Sequence, residues 1–144
     1  MGKENGKFPN LLEAVSAVQG VKRIRFMSPH PQDMDEHLLQ VMSEHENICN
    51  YIHLPLQAGS DRILNRMNRT YTKEEYFSLV DIIRKYLPDC AISTDIIVGF
   101  PGETEGEFEE TLQVMDQVVF DRAFMFKYSS RPGTKAAEYS DQIS

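Results

Sequence analysis

The sequence predicts an α/β fold built as a partial (β/α) barrel, with about four parallel strands and an outer layer of helices. Short apolar segments alternate with amphipathic segments of helical periodicity along the chain. The strand candidates lie about 30 to 40 residues apart, which is the spacing of strand–helix–strand crossover units. The 144 residues are too few for a complete eight-stranded barrel, which needs roughly 250.

Helix starts are predicted where a side-chain oxygen can cap the first turn, often with a carboxylate three residues later. The capping residues are Asp33 with Glu36, Ser60, Thr72 with Glu75, and Thr104 with Glu107. Another helix is predicted over residues 9–18, ending at Gly20. The last long helix is predicted to bury Phe108, Leu112, Met115 and Val119.

Strands are predicted at residues 23–27, 50–54, 91–99 and 122–128. The third is apolar on both faces towards its end, which predicts cover on both sides. Residues 1–137 are expected to form the partial barrel, and residues 138–144 a polar tail that frays and begins a linker.

Composition indicates a globular domain that works in the cytoplasm. Apolar residues make up 41% of the chain and no apolar run is long enough to span a bilayer, so no membrane partner is expected. The first residues are polar and lack the apolar core of a signal peptide. The net charge of −7 argues against a nucleic-acid surface over the whole body but is compatible with a local basic patch.

The sequence predicts neither a metal site nor a catalytic nucleophile. Cys49 and Cys90 are far apart and are predicted to be buried thiols. The four histidines share no metal-ligand spacing, and no serine or cysteine triad pattern is present.

Polar residues and glycines follow each predicted strand, and the carboxyl ends of parallel strands lie on one side of a sheet. The candidates are Ser28 and His30; Gln57, Gly59 and Ser60; Asp95, Gly99, Gly102 and Glu103; and Lys127, Ser129, Arg131 and Thr134. Asp95 has two interpretations, a salt bridge to an Arg or Lys and a contact to a ligand amine or hydroxyl. Gly99 and Gly102 either let a ligand approach the backbone or serve only the turn around Pro101.

Four ordered motifs carry a resemblance to a known family. They are HLPLQAGSD at residues 53–61, ILNRMNRTYT at 63–72, TDIIVGFPGET at 94–104 and FKYSSRPGTKAA at 126–137. The chain resembles the radical S-adenosylmethionine methylthiotransferases over about residues 11–137, most closely the branch that acts on tRNA. The resemblance implies the later two-thirds of the radical barrel.

The resemblance also implies a chemistry and its cofactors. A four-iron four-sulfur cluster cleaves S-adenosylmethionine to a radical, and a methylthio group is placed on an adenosine of tRNA. The family holds this cluster with a CxxxCxxC loop that is absent from this sequence. The chain is therefore expected to bind neither cofactor by itself and to be inactive alone.

The residues that the resemblance places at S-adenosylmethionine are Ser28, Gln57, Arg69, Asp95, Ile97, Gly99 and Phe126. It implies Ser28 near the ribose, and Gln57 and Arg69 at the methionine moiety. Asp95 would face the cofactor, the strand end from Ile97 through Gly99 would lie against adenine, and Phe126 would close the pocket.

Partners and alternatives follow from the same features. Two basic clusters are candidates for tRNA phosphates or are simply solvated charges: Arg62, Arg66, Arg69 and Lys73, and Arg131 with Lys135. One alternative is a methylthiotransferase acting on a ribosomal protein aspartate, and another is a non-catalytic nucleotide- or partner-binding module. Self-association through the open sides of a half-barrel is also expected.

Overall fold

The computed structural model describes residues 7–27, 31 and 34–143. Its helices and strands are α1 (Lys7–Ser16), α2 (Glu36–Glu44), β1 (Tyr51–His53), α3 (Asp61–Arg66), α4 (Lys73–Tyr86), β2 (Ala91–Val98), α5 (Glu105–Val118) and β3 (Arg122–Lys127). A short 3₁₀ turn, Lys135–Glu138, follows β3. The predicted alternation of strands and helices is confirmed.

The strands form one parallel sheet in the order β1-β2-β3. His53 of β1 pairs with Ser93, and on the other side of β2 Asp95 pairs with Phe124 and Ile97 with Phe126. Parallel strands that follow one another in chain order are the arrangement found in the wall of a (β/α) barrel, as the sequence predicted.

The predicted strand at residues 23–27 is wrong as a regular strand. It is reduced to one parallel bridge, between Ile24 and Ile48, with bonds of 2.7 Å from Ile24 N to Asn47 O and 2.9 Å from Cys49 N to Ile24 O. Beyond this bridge the segment makes no further strand pairing among the described residues, and Met27 at its end is 84% exposed.

The hydrophobic core lies on one face of the sheet. Ile92 and Ile96 of β2 are buried there together with Tyr76 and Ile83 of α4 and Val114 of α5. The other face is more open, and Ile97 on that face is only half-buried. At the end of the core face, Val98 is only half-buried as well. The expectation that β2 is covered on both sides is therefore wrong at its carboxyl end.

Local capping signals locate the helix starts well. Thr72 with Glu75 and Thr104 with Glu107 form complete capping boxes, and the Ser60 side chain caps α3 as predicted. Helix α2 is capped by Asp35, whose carboxylate accepts from Leu38 N at 2.8 Å, whereas Asp33 lies outside the described residues.

The predicted buried face of α5 is wrong by one position. The buried residues are Glu107, Thr111, Val114 and Val118, whereas Leu112 is 43% and Val119 69% exposed. Polar contacts determine this face, because Glu107 and Thr111 bind the loop after β1.

The chain beyond residue 137 packs against the domain, so the expectation that it frays is wrong through Asp141. Asp141 accepts two bonds from Arg66 Nη2, at 2.8 and 2.9 Å, and its carbonyl accepts from Gly102 N at 2.8 Å. The Tyr139 ring stacks on the Arg66 guanidinium at 4.4 Å. The Arg66 guanidinium therefore contacts both the Asp141 carboxylate and the Tyr139 ring, and these two contacts attach residues 139–141 to the domain.

The exposed parts of the molecule agree with an incomplete barrel wall. On β3, Phe124, Met125 and Phe126 are 40%, 65% and 53% exposed. Self-association through this strand stays a prediction. Among the described residues, no helix is both long and apolar enough to cross a membrane.

Candidate functional site

A cleft of about 500 Å³ lies at the carboxyl ends of β2 and β3, and we call it the strand-end cleft. Its lining residues are Gln57, Asp95, Ile97, Phe126, Lys127, Tyr128, Ser129, Arg131, Thr134 and Ala136. Four of the seven residues predicted to contact a cofactor are therefore together in one cavity. Its volume is within the range of small-molecule sites, roughly 300–1,000 Å³.

The loop after β1 is anchored so that Gln57 reaches this cleft. Tyr76 Oη donates to Leu54 O at 2.7 Å, and Tyr71 Oη donates to Leu56 O at 2.9 Å. Burial raises the pKa of Tyr71 to about 12 and that of Tyr76 further, so both phenols stay protonated donors at neutral pH. The loop therefore has fixed attachment points beneath it.

Gln57 itself has a left-handed backbone, with φ of +71°, which is uncommon outside glycine. In this conformation its N–H donates to Asp95 O at 2.8 Å and its carbonyl accepts from Ile97 N at 2.9 Å. The backbone of the loop thereby continues the ladder of β2. Two predicted site residues, Gln57 and Asp95, are joined directly by main-chain pairing.

Asp95 has a partner that neither interpretation of the sequence proposed. Its Oδ2 lies 3.2 Å from His53 Nε2, and no Arg or Lys side chain is bonded to it among the described residues. The carboxylate is not fully buried, since its side chain is 30% exposed. It can therefore contact a ligand in the strand-end cleft and keep its histidine partner.

The two glycines of the turn after β2 have different roles. Gly99 has φ of +69° and open space where a Cβ would lie, and its N–H donates to Glu103 Oε2 at 2.6 Å. At Gly102 a Cβ would clash with Asp141 Oδ2, so the group that closely approaches this glycine belongs to the protein itself. Burial raises the pKa of the Glu103 carboxyl above its ordinary value. Gly99 is not among the residues that line the strand-end cleft, and its positive φ already favours glycine at this position.

Arg69 lies in a second cleft of about 500 Å³, which we call the Arg69 cleft. It shares Ile97, Thr134 and Ala136 with the strand-end cleft, so the two cavities adjoin. The Arg69 Nε is buried and has no hydrogen-bond partner in the described part of the chain. A buried, unsatisfied donor at a cavity wall is suited to an acceptor supplied by a ligand.

The first basic cluster is largely neutralised by the protein's own carboxylates. Arg62 pairs with Glu107, Arg66 with Asp141 and Lys73 with Glu110. Lys127, Arg131, Lys135 and Arg69 have no acidic partner among the described residues, and all four line one of the two clefts.

Of the remaining candidates, Gly59 and Ser60 do not line the strand-end cleft. Ser28 and His30 lie outside the described residues. Gly59 and Ser60 attach their loop to α5, since Gly59 N donates to Thr111 Oγ1 at 2.8 Å and Ser60 Oγ to Glu107 Oε1 at 3.0 Å.

Sequence reasoning missed Tyr128 and His53. Tyr128 lines the strand-end cleft, and its hydroxyl is buried without a hydrogen-bond partner in the described residues. Tyr128 directly follows β3, a position that could have marked it. His53 belongs to a quoted motif, but its link to Asp95 depends on the register between β1 and β2.

Comparisons with known proteins agree on one family. The model described as the Radical SAM superfamily matches residues 5–115. The tRNA-2-methylthio-N(6)-dimethylallyladenosine synthase of Caldicellulosiruptor saccharolyticus is 54% identical over 136 residues, covering 94% of this chain and 29% of that protein. The synthase of the same name from a Sulfurihydrogenibium species is 53% identical over 139 residues, covering 95% of this chain and 32% of that protein.

A solved structure supports the fold alone. The coproporphyrinogen III oxidase of Escherichia coli, described as a Radical SAM enzyme, has a TM-score of 0.67 and 21% identity, covering 81% of this chain and 27% of that one. The predicted partial barrel is therefore confirmed. The chain spans 29% and 32% of the lengths of the two curated relatives above.

Proposed function

We propose a function for this chain from the fact that it belongs to the Radical SAM superfamily. In this proposal the chain forms the cofactor-binding wall of an enzyme that transfers a methylthio group to an adenosine of tRNA. The observation that carries the proposal is the strand-end cleft, which gathers Gln57, Asp95, Ile97 and Phe126. The relatives at 54% and 53% identity are named for this reaction on dimethylallyladenosine. We infer a cytoplasmic location from that substrate class.

The cleft residues fit S-adenosylmethionine. Asp95 and Gln57 offer hydrogen-bond acceptors and donors, and Ile97 with Phe126 offers apolar surface for a purine. Arg69 suits the cofactor's carboxylate, because its buried Nε lacks a partner among the described residues. Gly99 and Ser28 also belong to the proposed set of cofactor-binding residues. Ser28 lies outside the residues that the structure describes.

The described residues do not fit an iron–sulfur cluster. Within residues 7–27, 31 and 34–143, no three His, Cys, Asp or Glu side chains are grouped as metal ligands. Cys90 is buried, and that burial raises the pKa of its thiol to about 11, which disfavours the thiolate that iron requires. We therefore assign no step to a cluster here. Inactivity of the chain by itself stays a prediction.

A chimaera tests the proposed function. In the Caldicellulosiruptor saccharolyticus synthase, the matching 136-residue stretch is replaced with that of this chain. We expect the chimaera to add a methylthio group to tRNA, measured as a mass shift of the modified nucleoside. A chimaera that folds and keeps its cluster absorbance but leaves tRNA unmodified contradicts the proposal. A mass shift on a ribosomal protein instead would favour the alternative substrate.

The cations without acidic partners suggest where tRNA phosphates lie. Lys127 and Arg131 line the strand-end cleft, and Lys135 lines the Arg69 cleft. Arg62, Arg66 and Lys73 are already paired, so they have less charge to offer. On a chain of net charge −7, a local group of unpaired cations is the part that attracts an RNA backbone.

Replacing these cations with neutral residues in the chimaera is expected to lower the affinity for tRNA. The same replacements are expected to make that affinity depend less steeply on salt concentration. A variant that no longer neutralises one phosphate should show a slope of log K against log salt that is shallower by about 0.7–0.9. The variants are Lys127→Gln, Arg131→Gln and Lys135→Gln, measured by filter binding over a salt series. Lys73→Gln is the matched control, since Lys73 pairs with Glu110 and should leave the slope unchanged. Equal slopes in all four variants would rule out this phosphate-binding surface.

A further inference from the structure

Four side chains on the open face of the sheet form a continuous series of hydrogen bonds that ends at the strand-end cleft. Tyr51 Oη lies 2.6 Å from Ser93 Oγ, and Ser93 Oγ lies 2.8 Å from His53 Nδ1. The opposite ring nitrogen, His53 Nε2, lies 3.2 Å from Asp95 Oδ2. All three distances are within the hydrogen-bonding range.

The direction of donation follows from the chemistry of the last member. An ionised carboxylate only accepts, so His53 Nε2 carries the proton and donates to Asp95. In the neutral ring Nδ1 then accepts, and it does so from the Ser93 hydroxyl. Ser93 in turn accepts from Tyr51. The series therefore favours the Nε2–H tautomer of His53.

Packing restricts the same histidine. Ser93 is fully buried, and the ring of Phe124 packs edge-on against His53 with 6.3 Å between ring centres. Phe124 is also the register partner of Asp95 on β3. Side chains of Ser93 and Asp95 on β2 and of Phe124 on β3 thus hold the imidazole in one orientation.

Only one of the two carboxylate oxygens of Asp95 is bonded to another described residue. Oδ2 is held by His53, whereas Oδ1 has no hydrogen bond to any described residue. The carboxylate is one of the cleft's lining groups. An acceptor fixed on one side and open on the other can receive a donor without reorganising.

We propose that His53, supported by Ser93 and Tyr51, is a positioning residue that presents Asp95 Oδ1 to a hydroxyl or ammonium group of the ligand in the strand-end cleft. That the ligand is S-adenosylmethionine rests on the proposed function above. The positioning itself depends on the geometry of the three strands and not on which ligand binds.

The first test is spectroscopic and uses this chain. Nitrogen-15 NMR should show His53 as the Nε2–H tautomer, with its signal assigned by loss in His53→Asn. Ser93→Ala should shift that signal towards the tautomer mixture of a free imidazole. A mixture already present in the unchanged chain would overturn the hydrogen-bond assignment.

The second test uses the chimaera with S-adenosylhomocysteine as the calorimetric probe. Asp95→Asn should weaken binding about tenfold or more, since it removes a charged acceptor. His53→Asn should weaken binding nearly as much, and the double variant no more than Asp95→Asn alone, because His53 acts through Asp95. His53→Gln should restore most of the affinity, since its amide nitrogen occupies the place of Nε2. His37→Asn, the same change on an exposed residue, is the control.

The outcomes separate the two claims. If Asp95→Asn weakens binding but His53→Asn does not, or if their effects add, the positioning role is wrong and the proposed function stands. If Asp95→Asn has no effect while NMR shows the expected tautomer, the assignment of the cofactor to this cleft fails. Melting temperatures of all variants, by calorimetry, identify any loss of binding that reflects unfolding.

Discussion

Replacing Gly59 with alanine is expected to lower the free energy of unfolding by about 2–3 kcal/mol. A Cβ atom at this position would lie 2.5 Å from Thr111 Cα and 2.6 Å from Glu110 O, both of which are backbone atoms of α5. Backbone atoms cannot swing aside, so the loop and the helix would have to separate. That separation would break the 2.8 Å bond from Gly59 N to Thr111 Oγ1 and shift the loop that carries Gln57.

Urea unfolding followed by circular dichroism measures this effect. Gly106→Ala is the matched control, because Gly106 lies on α5 and no other atom lies within 4 Å of the place a Cβ would take. That change should leave stability unchanged or raise it by up to about 1 kcal/mol, since alanine is the better helix former. Equal unfolding midpoints for Gly59→Ala and the unchanged chain would show that the loop does not approach α5 as described.

Replacing Glu107 with glutamine is expected to remove about 2 kcal/mol of stability at neutral pH. The buried carboxylate accepts from Arg62 Nε at 2.7 Å, from Ser60 Oγ at 3.0 Å and from Thr104 N at 2.9 Å. An amide keeps the shape but loses the charge and can accept with only one oxygen. The figure allows for solvent screening, since the Arg62 side chain is 51% exposed.

The same group predicts how stability depends on pH. The hydrogen bond from Arg62, ahead of those from Thr104 and Ser60, lowers the pKa of Glu107 to about 2 from its ordinary 4.5. Because the folded pKa lies below the unfolded one, this stabilisation is fully present above the unfolded pKa. It is lost as the pH falls from 4.5 towards 2. In Glu107→Gln this part of the acid loss should be absent.

Unfolding free energies at pH 7 and pH 3 for each variant provide the check. Glu110→Gln is the control on the same helix, because its partner Lys73 is one-third exposed and the pair is worth about 0.5 kcal/mol. If Glu107→Gln and the unchanged chain lose stability in parallel on acidification, the carboxylate does not carry the predicted charge interaction.

Features that depend on a few neighbouring residues were predictable. The capping boxes at Thr72 and Thr104 need only the residue three positions on, and both form. The buried face of α5 depends instead on a partner about fifty residues away. Periodicity favoured Leu112 and Val119 because they are apolar, but Gly59 and Ser60 bind the face that carries Thr111 and Glu107. Long-range polar contacts therefore overrode the apolar pattern.

The candidate site shows the same division. That Gln57, Asp95, Ile97 and Phe126 meet could be predicted, because each lies in the carboxyl-terminal half of a strand or just beyond its end. Arg69 lines only the adjoining cleft, because it lies in the turn after α3 and not at the end of a strand. The pairing of His53 with Asp95 could not be predicted without the register of β1 on β2, which depends on backbone hydrogen bonds and leaves no pattern in one sequence.

The main-chain pairing of Gln57 with Asp95 and Ile97 makes the two sides of the cleft mechanically unequal. One side is rigid, because the loop and β2 are joined by main-chain hydrogen bonds and can separate only if those bonds break. On the opposite side, residues 129–135 are exposed. The internal bonds described there come from Thr134, whose N and Oγ1 donate to Arg131 O at 3.3 and 2.8 Å. We therefore expect residues 129–135 to move when ligands of different size bind. Loop grafts that aim to alter selectivity should replace this segment.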